Sequence, residues 1–316
     1  MKTVVITGAG GYIGGQTAIK FSEKGYQVIG IDRNAPRKDM EQFFKKFLIS
    51  DFASEEALHI IKQNQPHAIV HCAGTSLVGP SVKNPSPYYD NNFVKTKRLL
   101  DFLVQEELST KVIFSSSAST YGEPVMSPCS EEDPTMPLSP YGESKLMCEF
   151  LLKSYKKAYQ LDSVIFRYFN VCGADSQGRH GQETDATHLI ARVLQAIKTG
   201  KDITIFGDDY FTPDGTCVRD YVHVEDIANA HYLAAEKVVV GVFNLGTEAG
   251  YSNKQIINTA LQVTGATDKE IKIGPARTGD PAVLVGSSTR FTQATGWKNS
   301  FDLQQIIKTA WQWYNK

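Results

Sequence analysis

The stretch Thr3-Val-Val-Ile-Thr7, followed at once by Gly8-Ala-Gly-Gly11-Tyr-Ile-Gly14, constrains the fold more than any other part of the chain. Short, β-branched and closed by glycines, residues 3–7 read as a strand buried on both faces. A helix-like run then reaches Lys24, Gly25 stops it, and a second apolar strand from Tyr26 to Ile31 ends in Asp32. This is a β-α-β unit whose glycine turn lets backbone approach a pyrophosphate at a helix N-terminus. Asp32 stands at the end of the second strand, the place for an acceptor to the adenosine ribose hydroxyls. The unit is expected to bind a dinucleotide, although glycines also serve tight helix–strand packing. A carboxylate there opposes a 2′-phosphate, so NAD is favoured over NADP, while Arg33 is a residue able to accommodate that phosphate.

The alternation continues. Phe47-Leu-Ile-Ser before Asp51-Phe52, Ala68-Ile-Val-His-Cys72 before Ala73-Gly74, Lys111-Val-Ile-Phe-Ser115 and Ser163-Val-Ile-Phe-Arg-Tyr168 read as strands three to six. Strands separated by helical segments imply an α/β fold of the Rossmann type: a doubly wound parallel sheet that binds ligands at the carboxyl ends of its strands. That edge would gather Gly8–Gly14, Asp32, Asp51, Ala73-Gly74, Ser115-Ser116-Ser117 and Tyr168-Phe169-Asn170. After Asn170 the pattern breaks into shorter elements. A short strand is expected at Ile203–Gly207, a loop from Asp208 to Val218, and helices at about 224–236, 252–264 and 302–314. The reading is a dinucleotide-binding domain over residues 1–170 and a smaller α/β substrate-binding domain over 171–316, with elements of the second free to return to the first.

Composition narrows the function classes. A chain of 316 residues can bury one large core, or a main domain with a smaller one attached. A formal charge of −1 supplies no general attraction to nucleic acid or anionic membranes. Five scattered cysteines without a CxxC pair argue for reduced thiols in a cytoplasmic protein rather than a disulfide or zinc framework. The seven histidines form no HExxH or His/Cys cluster, so no metal is expected. The apolar run at the start is too short for the core of a signal peptide, and no run approaches membrane-spanning length.

The chemistry points to Pro140-Tyr141-Gly142-Glu143-Ser144-Lys145. Ser139 suits an N-cap and Pro140 the first helical position, so a helix is expected from here to about Tyr159. Tyr141 and Lys145 then lie one turn apart on the same face. A phenol ionises near pH 10. A nearby ammonium favours the phenolate, which would make Tyr141 a proton-transfer group near neutrality. Alone, the pair is also what chance spacing produces in a chain with 14 tyrosines.

With the glycine spacing of Gly8, Gly11 and Gly14, the serine-rich end of the fifth strand and Tyr141-x-x-x-Lys145, the chain resembles the extended short-chain dehydrogenase/reductase family. Within it, the chain is most similar to the UDP-glucose 4-epimerase branch. Tyr88-Tyr-Asp-Asn-Asn92, Ser115-Ser-Ser-Ala118, Tyr168-Phe-Asn170, Gly215-Thr-Cys-Val-Arg-Asp-Tyr-Val-His223 and Arg277-Thr-Gly-Asp280 carry that likeness.

The resemblance implies a homodimer that keeps NAD bound and acts on a UDP-hexose. Tyr141 would take the proton of the sugar 4-hydroxyl, Ser117 would hold the same oxygen, and Lys145 would hold the phenolate and the nicotinamide ribose. Gly8, Gly11, Tyr12, Ile13, Gly14, Asp32, Asp51 and Phe52 would meet the adenosine and pyrophosphate end of the cofactor. Cys72, Ala73, Gly74 and Ser115 would line the rest of its site, with Asn91 and Tyr168 near the nicotinamide side or the substrate diphosphate. Asn170, His188, Leu189, Phe206, Arg219, Arg277 and Asp280 would hold the nucleotide sugar, the arginines because a planar fork pairs with phosphate oxygens. An ion pair is the alternative for each arginine, and a turn-forming role for Asp51.

Three positions depart from the family pattern. Ser76 replaces a lysine of some members. His188 replaces an asparagine, with a capping or packing role equally open. Leu284 falls where a tyrosine restricts some members to plain hexoses, which leaves N-acetylated sugars open. The Ser117-Ala118-Ser119 segment lacks the Asp-Glu pair of the related dehydratases. The reading from another class is a non-catalytic NAD-sensing regulator. For the dimer, the apolar positions Phe93, Leu99, Leu100, Leu103, Phe150 and Leu151 suit an interface and suit an ordinary core equally well.

Overall fold

In the computed structural model, which describes residues 1–183, 188–266, 269–276 and 281–316, the short apolar runs become parallel strands. They are β1 (Thr3–Thr7), β2 (Gln27–Asp32), β3 (Lys46–Ile49), β4 (Ala68–His71), β5 (Lys111–Ser117) and β6 (Ser163–Tyr168). Successive side chains leave on opposite faces. In β1, Val4 and Ile6 join one buried cluster and Val5 the other. Both clusters are apolar, which is why these runs read as continuously hydrophobic.

Further strands follow as β7 (Asn170–Cys172), β8 (Ile203–Phe206), β9 (Val218–His223) and β10 (Gly241–Leu245). The main sheet runs β10-β6-β5-β4-β1-β2-β3, every pair parallel. Its seventh strand, β10, comes from beyond residue 170. The Val224–Glu236 helix before it packs against the Tyr12–Glu23 helix. The chain therefore returns to the first sheet over Val224–Leu245 before completing its smaller layers. Those are a four-stranded sheet, in which β9 pairs with β7, β11 (Gly250–Ser252) and β13 (Val283–Leu284), and a parallel pair of β8 with β12 (Ile271–Gly274).

The helix boundaries follow local chemistry. The Ser139 hydroxyl accepts from the Gly142 amide at 3.2 Å, Pro140 occupies the first turn, and the helix runs to Tyr159. The Asn253–Thr264 and Leu303–Tyr314 helices open with reciprocal capping boxes from Ser252 and Asp302. No helix among the described residues is long and apolar enough to cross a membrane.

Two expectations change. β5 continues past Ser115 to Ser117. Leu99, Leu100 and Leu103 are fully buried beneath the sheet, with Phe93 and Leu151 packed partly against the same cluster. The three leucines belong to the core, Phe93 and Leu151 are half-buried at its margin, and Phe150 is 55 % exposed. Period alone identifies an apolar helix face but not which partner covers it.

One buried ion pair fixes the Pro140–Tyr159 helix to the sheet. Arg167 on β6 donates to both Glu149 oxygens, at 3.0 and 2.7 Å, and Ser116 adds a third bond at 2.6 Å. Tyr141, Lys145 and Glu149 are spaced four apart, so this clamp sits on their common helix face. Arg167→Met would leave Glu149 charged and unpaired, a loss of about 3–5 kcal/mol in urea unfolding. Adding Glu149→Leu is expected to recover most of it. Equal losses in the single and double variants would mean that the pair acts through shape alone.

Candidate active site

The loops after β1, β2, β4, β5 and β6 open on one edge, around a cleft of about 820 Å³. The glycine turn forms one end. Gly8 has a φ of +70°, and a side chain there would meet the Ala73 amide nitrogen at 2.7 Å. At Gly14 a Cβ would sit 2.1 Å from the Gly8 carbonyl oxygen. These contacts draw the N-terminus of the Tyr12–Glu23 helix against the strand edge. That helix has no capping side chain at Gly11 and no acid in its first turn. Its leading amides fit an anionic pyrophosphate. Gly11, Tyr12 and Ile13 line the cleft with them.

Asp32 is held by the Gly10 and Asn34 amides, both at 3.0 Å, and presents its carboxylate at the cleft wall. Asp51 pairs with Lys95 at 2.8 Å and accepts from the Ala53 amide. Burial pushes its carboxyl upward, but these bonds outweigh burial and hold it below the ordinary range. Phe52 is buried edge-on against His71. Asn91 accepts from Lys95 at 2.8 Å, and Cys72, Ala73 and Gly74 form the floor beside it. These residues fit a nicotinamide dinucleotide lying across the sheet edge.

The tyrosine, lysine and serine come together as read, with one electrostatic difference. Tyr141 and Ser117 line the cleft; Lys145 is buried behind it and donates to the Ser115 carbonyl at 2.7 Å. Burial raises the Tyr141 phenol above its ordinary value, and only a hydrogen bond from Ser117 opposes that. Burial likewise lowers the Lys145 amine. The expected lowering of the phenol by the ammonium is absent, because Lys145 is held on a carbonyl and desolvation dominates. Tyr168 lines the cleft, with its hydroxyl 3.0 Å from that of Ser115. Asn92, buried nearby, accepts from the Thr75 amide at 2.7 Å and donates to Ser144 at 3.0 Å, tying the loop after β4 to the tyrosine helix.

Asn170, Gln182, His188 and Arg192 line both this cleft and a second cavity of about 550 Å³. Leu189, Phe206 and Arg219 lie on the second cavity. Asn170 donates to the Asp220 carbonyl at 3.1 Å. His188 stands at the N-cap position of the Leu189–Thr199 helix, but its side chain does not cap; Nδ1 faces the Gln182 amide at 2.7 Å. Arg277 and Asp280 lie outside the described residues.

Residues 4–246 match the NAD dependent epimerase/dehydratase family. The chain belongs to that family. It is 41% identical over 321 residues to the UDP-glucose 4-epimerase of Halalkalibacterium halodurans, covering 99% of this chain and 96% of that protein. Among solved structures, it resembles UDP-glucose 4-epimerase from Stenotrophomonas maltophila with bound NAD and formylated UDP-arabinopyranose. The TM-score there is 0.94 at 30% identity, over 100% of this chain and 98% of the other. The Brucella ovis enzyme in complex with NAD gives a TM-score of 0.93 at 36% identity, over 99% and 98%.

For this epimerase/dehydratase family member, sequence reading had missed Gln182 and Arg192. Arg192 could have been found one turn after Leu189 on the same helix; Gln182 carries no signal in its neighbourhood. Ser76 lines the cleft, and the cationic side chains on that lining, among the described residues, are Arg33 and Arg192. Gly14→Ala is expected to displace the glycine turn and remove most of the bound NAD. Nicotinamide released from the denatured, purified protein measures this, and an undiminished content would show that the turn can yield.

Proposed function

We propose that the chain is a UDP-glucose 4-epimerase, interconverting UDP-galactose and UDP-glucose through a 4-keto sugar. The observation that carries this reading is that the cleft faced by Tyr141 and Ser117 shares Asn170, Gln182, His188 and Arg192 with the cavity bearing Arg219. Bound NAD would supply reversible hydride exchange at C4 of the hexose.

Tyr141 takes and returns the proton of the 4-hydroxyl, and Ser117, on the same cleft wall, holds the same oxygen. Lys145 lies behind them, aimed by the Ser115 carbonyl toward the nicotinamide ribose. The glycine turn, Asp32, Asp51 and Phe52 hold the dinucleotide. Asn170, His188, Leu189, Phe206 and Arg219 hold the nucleotide sugar, joined in this reading by Arg277 and Asp280. The diphosphate tether keeps the keto sugar in place while its ring turns, so the protein's contribution is positioning and proton transfer. Residues 1–170 act as the cofactor part and 171–316 as the sugar part, with Val224–Leu245 lent back to the first sheet.

The test is incubation of the purified protein with UDP-galactose and no added NAD, with products resolved by chromatography. UDP-glucose is expected. Tyr141→Phe should lower turnover by roughly 10²–10⁴-fold while NAD stays bound; full activity in that variant would remove Tyr141 from its role. No turnover even with added NAD would favour the NAD-sensing regulator. A second substrate class follows from Leu284, which packs against Phe169, Ala118, Tyr121 and Cys129 near the tyrosine site. Leucine fills less space than tyrosine, and UDP-N-acetylgalactosamine in the same assay tests acceptance of N-acetylated sugars.

The reading extends to a cytoplasmic homodimer. All five cysteines are free thiols, as a reducing compartment favours. Met147, Phe150 and Tyr159 are exposed on the Pro140–Tyr159 helix and Val94 precedes the Lys95–Gln105 helix, forming an apolar surface suited to a second copy. Phe150→Glu is expected to shift sedimentation toward the monomer. An unchanged dimer in that variant would place the interface elsewhere.

A further inference from the structure

His231, on the Val224–Glu236 helix, is fully buried and lines neither cavity. Each ring nitrogen faces one hydroxyl: Nδ1 lies 2.8 Å from Thr17 Oγ1, and Nε2 lies 2.5 Å from the Tyr168 phenol. Thr17 has a single hydroxyl proton and gives it to the Ile13 carbonyl at 2.8 Å. Toward Nδ1 it can only accept, so Nδ1 carries the ring proton and Nε2 is bare. The Tyr168 phenol therefore donates to Nε2. Its oxygen is left to accept from the Ser115 hydroxyl at 3.0 Å, a direction that requires the Cys72 thiol, 3.3 Å away, to donate to Ser115 rather than accept from it. The carbonyl of the same Ser115 holds the Lys145 amine at 2.7 Å.

A continuous chain thus joins the first turn of the glycine-turn helix to the lysine behind Tyr141. Burial pushes the His231 imidazole down to about 3, so the ring is neutral at ordinary pH and its acceptor persists. The chain has a chemical consequence as well. Three phenols, Tyr12, Tyr141 and Tyr168, line the cleft, and Tyr12 gives its proton to the Gly173 carbonyl at 2.7 Å. The single proton of Tyr168 is directed away from the cleft into His231, which leaves Tyr141 as the phenol able to exchange a proton with a bound sugar.

We propose that His231 is a positioning residue of the epimerase reaction: it withdraws the Tyr168 proton from the cleft and, through Tyr168 and Ser115, fixes the carbonyl that aims Lys145. The role rests on the epimerase reading above, but the hydrogen-bond chain beneath it can be tested separately. In holoenzyme carrying ¹⁵N-labelled histidine, NMR is expected to show His231 with its proton on Nδ1 and a hydrogen-bonded, unprotonated Nε2. In Tyr168→Phe the Nε2 resonance should move to its unbonded position while Nδ1–H is unchanged. A proton found on Nε2 would overturn the proposal.

Kinetics supplies the second arm. His231→Asn keeps an amide donor for Thr17 and has nothing at Nε2, whereas His231→Gln can place an amide oxygen there. The asparagine variant is expected to lose roughly 10–100-fold in kcat with UDP-galactose, with KM and NAD content unchanged, and the glutamine variant to recover most of that loss. Equal losses in the two, or a loss confined to KM or thermal stability, would mean that His231 merely packs. Should His231→Asn fail to fold, Tyr168→Phe removes the same link with one atom, and wild-type kcat in it would overturn the role. An inactive wild type would bring down the epimerase reading and this role with it. An active wild type beside an unimpaired Tyr168→Phe would bring down this role alone.

Discussion

The site exists because the parallel strand order reverses between β1 and β4. Connections leaving those two strands depart to opposite faces of the sheet, and the edge between them cannot be closed by either. All seven strands point the same way, so every loop that follows one opens beside that crevice. The glycines are the steric condition for using it. Gly8 lies against the Ala73 backbone and Gly14 against Gly8, at distances that leave no room for a Cβ. Without that approach the helix N-terminus would stand off from the crevice and its open amides would face solvent.

The catalytic groups depend on the same frame through a second constraint. Ser115, Ser116 and Ser117 end one strand, and alternation sends their side chains to different tasks. Ser116 turns to the buried Glu149–Arg167 pair, while Ser115 and Ser117 turn to the tyrosines. Three adjacent serines thereby hold the Pro140–Tyr159 helix by its carboxylate, its amine and its phenol. The active helix is registered against the sheet at three successive positions of one face rather than at a single hinge point.

Much of this was legible in the sequence. The first six strands are local patterns, short apolar runs bounded by turn residues and, apart from the edge strand β3, largely buried, and Ser139-Pro140 marks its helix start unambiguously. What escaped was set by distant partners. Gly241–Leu245 is an unremarkable apolar stretch whose pairing with Ser163–Tyr168 nothing nearby announces. The same holds for Leu99, Leu100 and Leu103, whose spacing shows a buried face but not whether sheet or second subunit buries it. The Tyr141–Lys145 spacing puts both on one face of the same helix. It could not show that the amine is held by the Ser115 carbonyl, nor that burial would govern both groups. Nor could spacing reveal that Gln182 and Arg192 would meet where two cavities join.

The return of Val224–Leu245 to the first sheet also fixes an order of events on the ribosome. Until residue 245 has emerged, β6 is an edge strand with its backbone groups unpaired, and the helix that covers the glycine-turn helix has not yet been made. The nascent first half is therefore a sheet missing one border and part of one cover, the kind of intermediate that invites pairing with another chain. Its closure waits on contacts between segments more than seventy residues apart in sequence, which slows folding. That edge stays open for the time it takes to synthesise three further strands and two helices.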